Sequence, residues 1–294
     1  MIQRLNALDE RFLVDLNRIQ RRAEEANRQL TSGLRVNSPS DSPDDVSNIL
    51  WLRAGMERAS QITRNLGRTQ SEVNIAEQAL QTAVGVLERV TQLGAQGATG
   101  TQSAQGRLSI AVEVKALHEQ LVHLSASTQE GRYIFHGDND QVAPYSVDLT
   151  QASGASVYDG AAATRRALHP SGATFAYART AREIFDSPVA GENVFTAVNN
   201  LRIALENNDQ PGIEAAIDGL HSAQDHLNAE LATYGTYQNI VQESQSAAAK
   251  LENQYQVTLS NIQDADLAAA ILEVNQASNH REAALGAQAR KPQS

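Results

Sequence analysis

Apolar residues recur along this chain at gaps of three and four for most of its length, the spacing of one face of an α-helix. Leu8, Phe12, Leu16, Ile19, Ala23, Ala26 and Leu30 form a first stripe, and Gly33 is suited to close that helix in a left-handed conformation. Nothing bulky follows to receive the stripe, and an isolated helix draws most of its stability from packing an apolar face. This first arm therefore needs a partner.

A connector, Leu34 to Asp41, leads to a helix start in which Ser42 is placed to cap, Pro43 fits the first turn, and Asp44 and Asp45 complement the helix dipole. The longest stripe follows: Ile49, Leu52, Met56, Ala59, Ile62, Leu66, Thr69, Val73, Ala76, Leu80, Ala83, Leu87 and Val90. About 45 residues at ~1.5 Å each make a helix of roughly 65 to 70 Å. The glycines at 94, 97 and 100 predict its break. Ile110, Val114, Leu117, Leu121 and Leu124 mark a shorter helix, and Val194, Val198, Leu201 and Leu205 another. A second long stripe runs from Ile213 to Ile262 and matches the first in length. Antiparallel packing of the two long helices buries both. A last segment, Leu267, Ile271, Val274 and Leu285, mirrors the first arm.

Between residues 133 and 189 the period changes. Tyr133–Phe135, Ser156–Tyr158, Arg165–Leu168 and Phe175–Tyr177 are candidate strands, punctuated by Gly, Pro and Asp residues. Eight of the thirteen aromatic residues fall between 133 and 195. The expected fold is mainly α: terminal helical arms over 1–40 and 263–294, an antiparallel helical rod over 41–132 and 190–262, and a small β-rich insert domain over 133–189 at the far end.

Composition narrows the function. The formal charge of −10 with no concentrated basic face argues against nucleic acid. The absence of cysteine excludes disulfides, thiolate metal sites and a thiol nucleophile. The charged first thirty residues predict neither an ordinary signal peptide nor a membrane-spanning helix. His118 and His123 mimic a zinc-protease helix, yet five residues of separation put them about 140° apart around it, so they cannot chelate one ion. His221 and His226 share that spacing, and Asp138-Asn139-Asp140 reads as a turn. No phosphate-binding, dinucleotide or nucleophile-elbow motif is present. The reading is of a protein that is not an enzyme and takes no cofactor or metal.

Specific residues carry a family resemblance. Gln29-Leu30-Thr31-Ser32-Gly33-Leu34-Arg35-Val36 with Pro39-Ser40-Asp41-Ser42-Pro43, then Arg64-Asn65 and Leu87-Glu88-Arg89-Val90, resembles the N-terminal signature of the bacterial flagellin superfamily. Ser260-Asn261-Ile262-Gln263-Asp264-Ala265-Asp266 resembles its C-terminal signature. Within the superfamily, Gly131-Arg132-Tyr133-Ile134-Phe135-His136-Gly137 is similar to the hook–filament junction branch, with filament flagellin as the alternative.

The resemblance implies an extracellular structural subunit of the flagellum, exported through the flagellar type III apparatus without a cleaved signal. It implies self-assembly by coiled-coil packing of the terminal helices, with Leu8, Phe12, Leu16, Ile19, Leu30, Leu267, Ile271, Val274 and Leu285 at the interface. Implied partners are further copies of the chain, the first hook-associated protein, flagellin, and an export chaperone on Leu267, Ile271, Val274 and Leu285. Where related chains carry a short apolar tail, this one has Lys291-Pro292-Gln293-Ser294. Each arm has about seven apolar side chains, a gross gain on the order of 10 kcal/mol on burial before ordering entropy is subtracted. A free-standing coiled-coil scaffold or chaperone also explains the stripes, but not the paired signatures.

Overall fold

The computed structural model describes residues 2–162 and 165–289, with side chains from 10 to 287 inside those ranges. Seven helices and four short strands are described: α1 (Ile2–Ser32), α2 (Pro43–Ala98), α3 (Ala104–Ser125), β1 (Thr128–Gln129), β2 (Arg132–Tyr133), β3 (Arg166–Leu168), β4 (Thr174–Ala176), α4 (Ala181–Phe185), α5 (Val194–Glu206), α6 (Gln210–Gln263) and α7 (Leu267–Ala289). They form two compact units: a terminal unit of residues up to 60 with those from 250 onward, and a central unit of 61–249. The long helices α2 and α6 contribute to both. Among the described residues no helix is long and apolar enough to cross a membrane.

In the central unit α2 and α6 run antiparallel, as the matched stripes predict. Gln238 of α6 donates to Asn74 and Glu77 of α2, and farther along α2 Gly94 lies against Ile217. Leu66, Val73, Leu80, Leu87 and Val90 on one side and Leu220, Leu227, Tyr234 and Val241 on the other are all buried.

The break predicted over the glycines at 94, 97 and 100 falls at its far end: α2 runs through Gly94 and Gly97 and stops at Ala98. The reason lies across the packing. A β-carbon on Gly94 would meet Leu201 at 3.2 Å, and one on Gly97 would meet Leu205 at 2.4 Å. These glycines admit α5 at close range instead of ending α2, and packing outweighs their cost of about 1 kcal/mol each relative to alanine.

The insert holds fewer strand residues than its pattern suggests. β1 and β2 pair antiparallel around Glu130 and Gly131, whose φ values of 50° and 78° are the two left-handed positions of a tight hairpin turn. β3 and β4 pair antiparallel with Ala167 opposite Phe175. Ser156–Tyr158 forms no strand; its backbone is tied instead by Ser156 N–H to Ser146 C=O at 2.8 Å and Asp159 N–H to Pro144 C=O at 3.3 Å. A ladder is replaced by a loop because the aromatic residues here point into a core made by helices. Phe135 meets Phe185 edge-on at 6.0 Å and Tyr234 at 6.3 Å, and Phe185 stacks on Phe195 at 5.6 Å. The Tyr145 hydroxyl donates to Asp186 at 2.9 Å, and burial beside that carboxylate pushes the phenol far above its ordinary pKa.

Ion pairs fasten the insert to the helices. Arg165 bridges Glu72 of α2 at 2.6 Å and Asp140 at 3.0 Å. Arg179 donates twice to Glu230 of α6, at 3.1 and 3.0 Å, and to Glu183 at 3.2 Å. Glu183 and Thr180 form a reciprocal cap on α4, satisfying its first free N–H groups.

Candidate assembly interface

Within the terminal unit the two arms lie against each other. Ala26 of α1 and Ala270 and Ala277 of α7 are buried along the seam, and such small side chains let helix backbones approach closely. Arg22 clasps Glu273 through two bonds of 2.6 and 2.9 Å. Phe12, Leu16, Ile19, Leu30 and Val274 are half-buried; Leu267, Ile271 and Leu285 are exposed. The Leu8 side chain lies outside the described residues, as do residues 290–294. So the partner that each arm's stripe demands is supplied in part by the other arm.

The pairing is incomplete. Leu13 (56% exposed) and Val14 (63%) on α1, and Ile271 (53%) and Leu272 (58%) on α7, remain in water. Leu13, Val14 and Leu272 lie off the strict three-four stripe, so periodicity alone passes over them. Adjacent apolar side chains left exposed on each of two paired helices are an unmet packing demand.

Where the arms join the rest of the unit, the two connectors hydrogen-bond to each other. Arg35 N–H donates to Gln263 C=O at 2.7 Å, Ala265 N–H to Gly33 C=O at 3.0 Å, and Leu34 bridges Asp264. Gly33, at φ 73°, makes the turn out of α1. The Arg35 guanidinium donates to Ile262 C=O at 2.6 Å and pairs with Asp45 at 3.1 Å. Gln263, nearly buried, donates to Val36 C=O at 3.2 Å and accepts from Arg53 at 3.1 Å. The signature residues on both sides of the chain therefore form one clamp.

Replacing Gln263 with alanine orphans the Val36 carbonyl and one Arg53 donor. It should destabilise the terminal unit by about 1–3 kcal/mol, visible as faster amide exchange at Arg35 and Val36; unchanged exchange would show the amide to be dispensable.

The acidic groups near the α2 start are spent locally. Asp41 accepts the backbone N–H groups of Asn37 and Ser38, which hold its carboxyl below the ordinary range, and Asp45 accepts from the Ser42 hydroxyl and Arg35. Beyond the clamp, Trp51 meets Tyr255 edge-on at 5.5 Å, and Gly55 leaves room for the tyrosine ring, since a β-carbon there would sit 2.8 Å from it.

The histidines do not converge on a common point. His118 is buried and bonded to a loop carbonyl while His123 is exposed; His226 donates to Glu183 C=O at 3.0 Å while His221 is exposed. Asp140 is occupied by Arg132 and Arg165. Among the described residues no group of three or more His, Asp or Glu side chains is arranged to hold a metal ion.

Comparison with known proteins finds relatives among flagellar proteins. Residues 6–140 match the bacterial flagellin N-terminal helical region. The chain is 25% identical over 260 residues to flagellar hook-associated protein 3 of Salmonella typhimurium, covering 81% of this chain and 80% of that one. It is equally 25% identical over 243 residues to the flagellar filament 33 kDa core protein of Treponema phagedenis, covering 82% and 78%. Among solved structures, a flagellar hook-associated protein from Vibrio parahaemolyticus superposes with a TM-score of 0.68 at 19% identity, over 76% of this chain and all of that one. The flagellar hook-associated protein-3 of Legionella pneumophila gives 0.64 at 14% identity, over 73% and 98%. With the paired terminal signatures joined in one clamp and the arms folded against each other, the chain is similar over about four-fifths of its length to proteins of the bacterial flagellum, and its residues 6–140 resemble the N-terminal helical region of flagellin.

Proposed function

We propose that the protein is a structural subunit of the bacterial flagellum, seated at the junction between hook and filament and held there by its terminal arms. The observation that carries this is the likeness, over four-fifths of both chains, to a hook-associated protein 3, joined to arms whose apolar residues Leu13, Val14, Ile271 and Leu272 are left uncovered. In the assembled state those residues, with Phe12, Leu16, Ile19, Leu30, Leu267, Val274, Leu285 and Leu8, pack against sister copies. The first hook-associated protein lies below and flagellin above. The subunit reaches the cell exterior through the flagellar export apparatus, and before export a chaperone covers Leu267, Ile271, Val274 and Leu285. Catalysis has no part in this role.

Filament flagellin is the second reading, favoured by the likeness to the Treponema filament core protein. Gold-labelled antibody on isolated flagella separates the two. Label confined to a narrow band where hook meets filament is expected; label along the whole filament overturns the junction role in favour of flagellin.

A further inference from the structure

The central unit contains a buried histidine that the assembly role does not use. His118 lies on α3 with no exposed surface. Its Nε2 is 2.8 Å from the carbonyl of Ser153. A carbonyl can only accept, so Nε2 carries the proton and Nδ1 is the bare nitrogen. That Nδ1 is buried without a hydrogen-bond partner.

The contact is made by a compact loop, 146–156, closed on itself by Ser156 N–H to Ser146 C=O at 2.8 Å and Asp148 N–H to Gly154 C=O at 3.0 Å. Gly154 at φ 73° presses the loop backbone onto the ring: a β-carbon there would sit 2.7 Å from His118 Cε1 and 3.1 Å from Asn199 Cγ. Asn199 of α5 adds a second tie, donating to Ala152 C=O at 3.0 Å, and is itself held by Arg202 at 2.8 Å. Two side chains, from two helices, thus fix one loop by its carbonyls.

We propose that His118 is an acid-released pin: when its ring gains a second proton, the 146–156 loop lifts off α3 and α5 while the helices stay folded.

The charges around the ring favour release. A proton on Nδ1 would be a buried donor that makes no formed hydrogen bond, with only the Phe195 backbone near enough to favour it weakly. The facing charge on α5 is the Arg202 guanidinium, a like charge whose own counter-ion, Glu206, is engaged with it at 2.7 Å. On α3 itself, Glu119 is half-exposed and lies 3.9 Å from Lys115. The loop's carboxylate, Asp148, is taken by the N–H and hydroxyl of Thr150. Glu119 favours the new charge, but less than Arg202 opposes it. Burial, with Arg202 adding to it, holds the docked imidazole below its ordinary value of about 6.5, whereas the undocked ring returns to it. Because the docked form binds the proton more weakly, docking is at full strength above about pH 6.5 and weakens as pH falls between the free and the docked values. The loop carries Val147 and adjoins Val157, which is 80% exposed, so release changes an apolar face of the insert.

Hydrogen exchange of peptides spanning 146–156, corrected for intrinsic rates, tests this on the full-length protein. Between pH 7.5 and 5.5 the opening constant of the loop should rise by up to about tenfold per pH unit below 6.5, with α2 and α3 peptides unchanged. H118Q keeps a donor for Ser153 but cannot titrate, so its loop should exchange independently of pH, while D148N should retain the wild-type dependence. A wild-type loop indifferent to pH, or an H118Q loop with the wild-type dependence, overturns the proposal. If the H118Q loop exchanges freely at every pH, NMR titration of the wild-type His118 ring decides: a midpoint below the ordinary value that coincides with loop amide shifts is expected, and an ordinary midpoint without them overturns it.

Discussion

A double variant, Val14→Asp with Leu272→Asp, should lose self-assembly while its thermal transition stays within a few degrees of wild type. Both side chains are more than half exposed in the isolated chain, 63% and 58%, so charging them removes little that the folded subunit relies on. Between copies the account differs. Leu13, Val14, Ile271 and Leu272 together offer roughly 6 kcal/mol of gross apolar burial at ~1.5 kcal/mol for each large side chain. Losing two of them and burying two carboxylates instead should raise the concentration needed for polymerisation by about a hundredfold or more. Seeded polymerisation of the purified protein measures this. Normal polymers from the double variant would remove the arms from the assembly role. Ile19→Asp is a different experiment: Ile19 is half-buried in the cleft that α1 forms with Val274 and Ala277 of α7, so that variant should loosen the arm pair as well.

The largest stability loss is expected from Phe135→Ala. The ring is fully buried, sits edge-on to both Phe185 and Tyr234, and its own carbonyl accepts the Ala181 N–H that starts α4, at 2.6 Å. Truncation leaves a cavity that helices on several sides cannot close together, a cost of about 3–5 kcal/mol. For a unit of this size that is a fall of about 10 °C in Tm. Calorimetry should show the loss in the transition of the central unit, and assembly through the arms should persist at low temperature. A change under about 1 kcal/mol would mean that Phe135 is not the centre of the aromatic core.

These two experiments separate what holds the subunit together from what holds subunits to one another. The division is visible in the residues themselves. Leu66, Leu80 and Leu87 are matched by Leu220, Leu227 and Val241 inside one chain. Among the described residues the arms offer each other an alanine seam, one Arg–Glu clasp and half-buried side chains such as Ile19 and Val274.

The helices were legible because their signal is local. A stripe at gaps of three and four states which residues share a face, and Leu267 to Leu285 announces α7 without knowledge of its partner. Matched length was enough to propose that α2 and α6 run antiparallel, and the terminal signatures were enough to point to the flagellin superfamily. Tertiary structure decided what depends on a neighbour distant in sequence. The need for glycine at 94 and 97 shows only when Leu201 and Leu205, more than a hundred residues away, are seen to fill the space a side chain would need. Ser156–Tyr158 reads as a strand until its aromatic residue is drawn against a helical core. His118 reads as a failed metal ligand until a loop carbonyl 35 residues on is seen to accept its N–H. Backbone propensity and periodicity act over one or two helical turns, so they reach the amino-acid sequence directly; close approach, burial and the identity of a hydrogen-bond partner are settled only when distant segments meet.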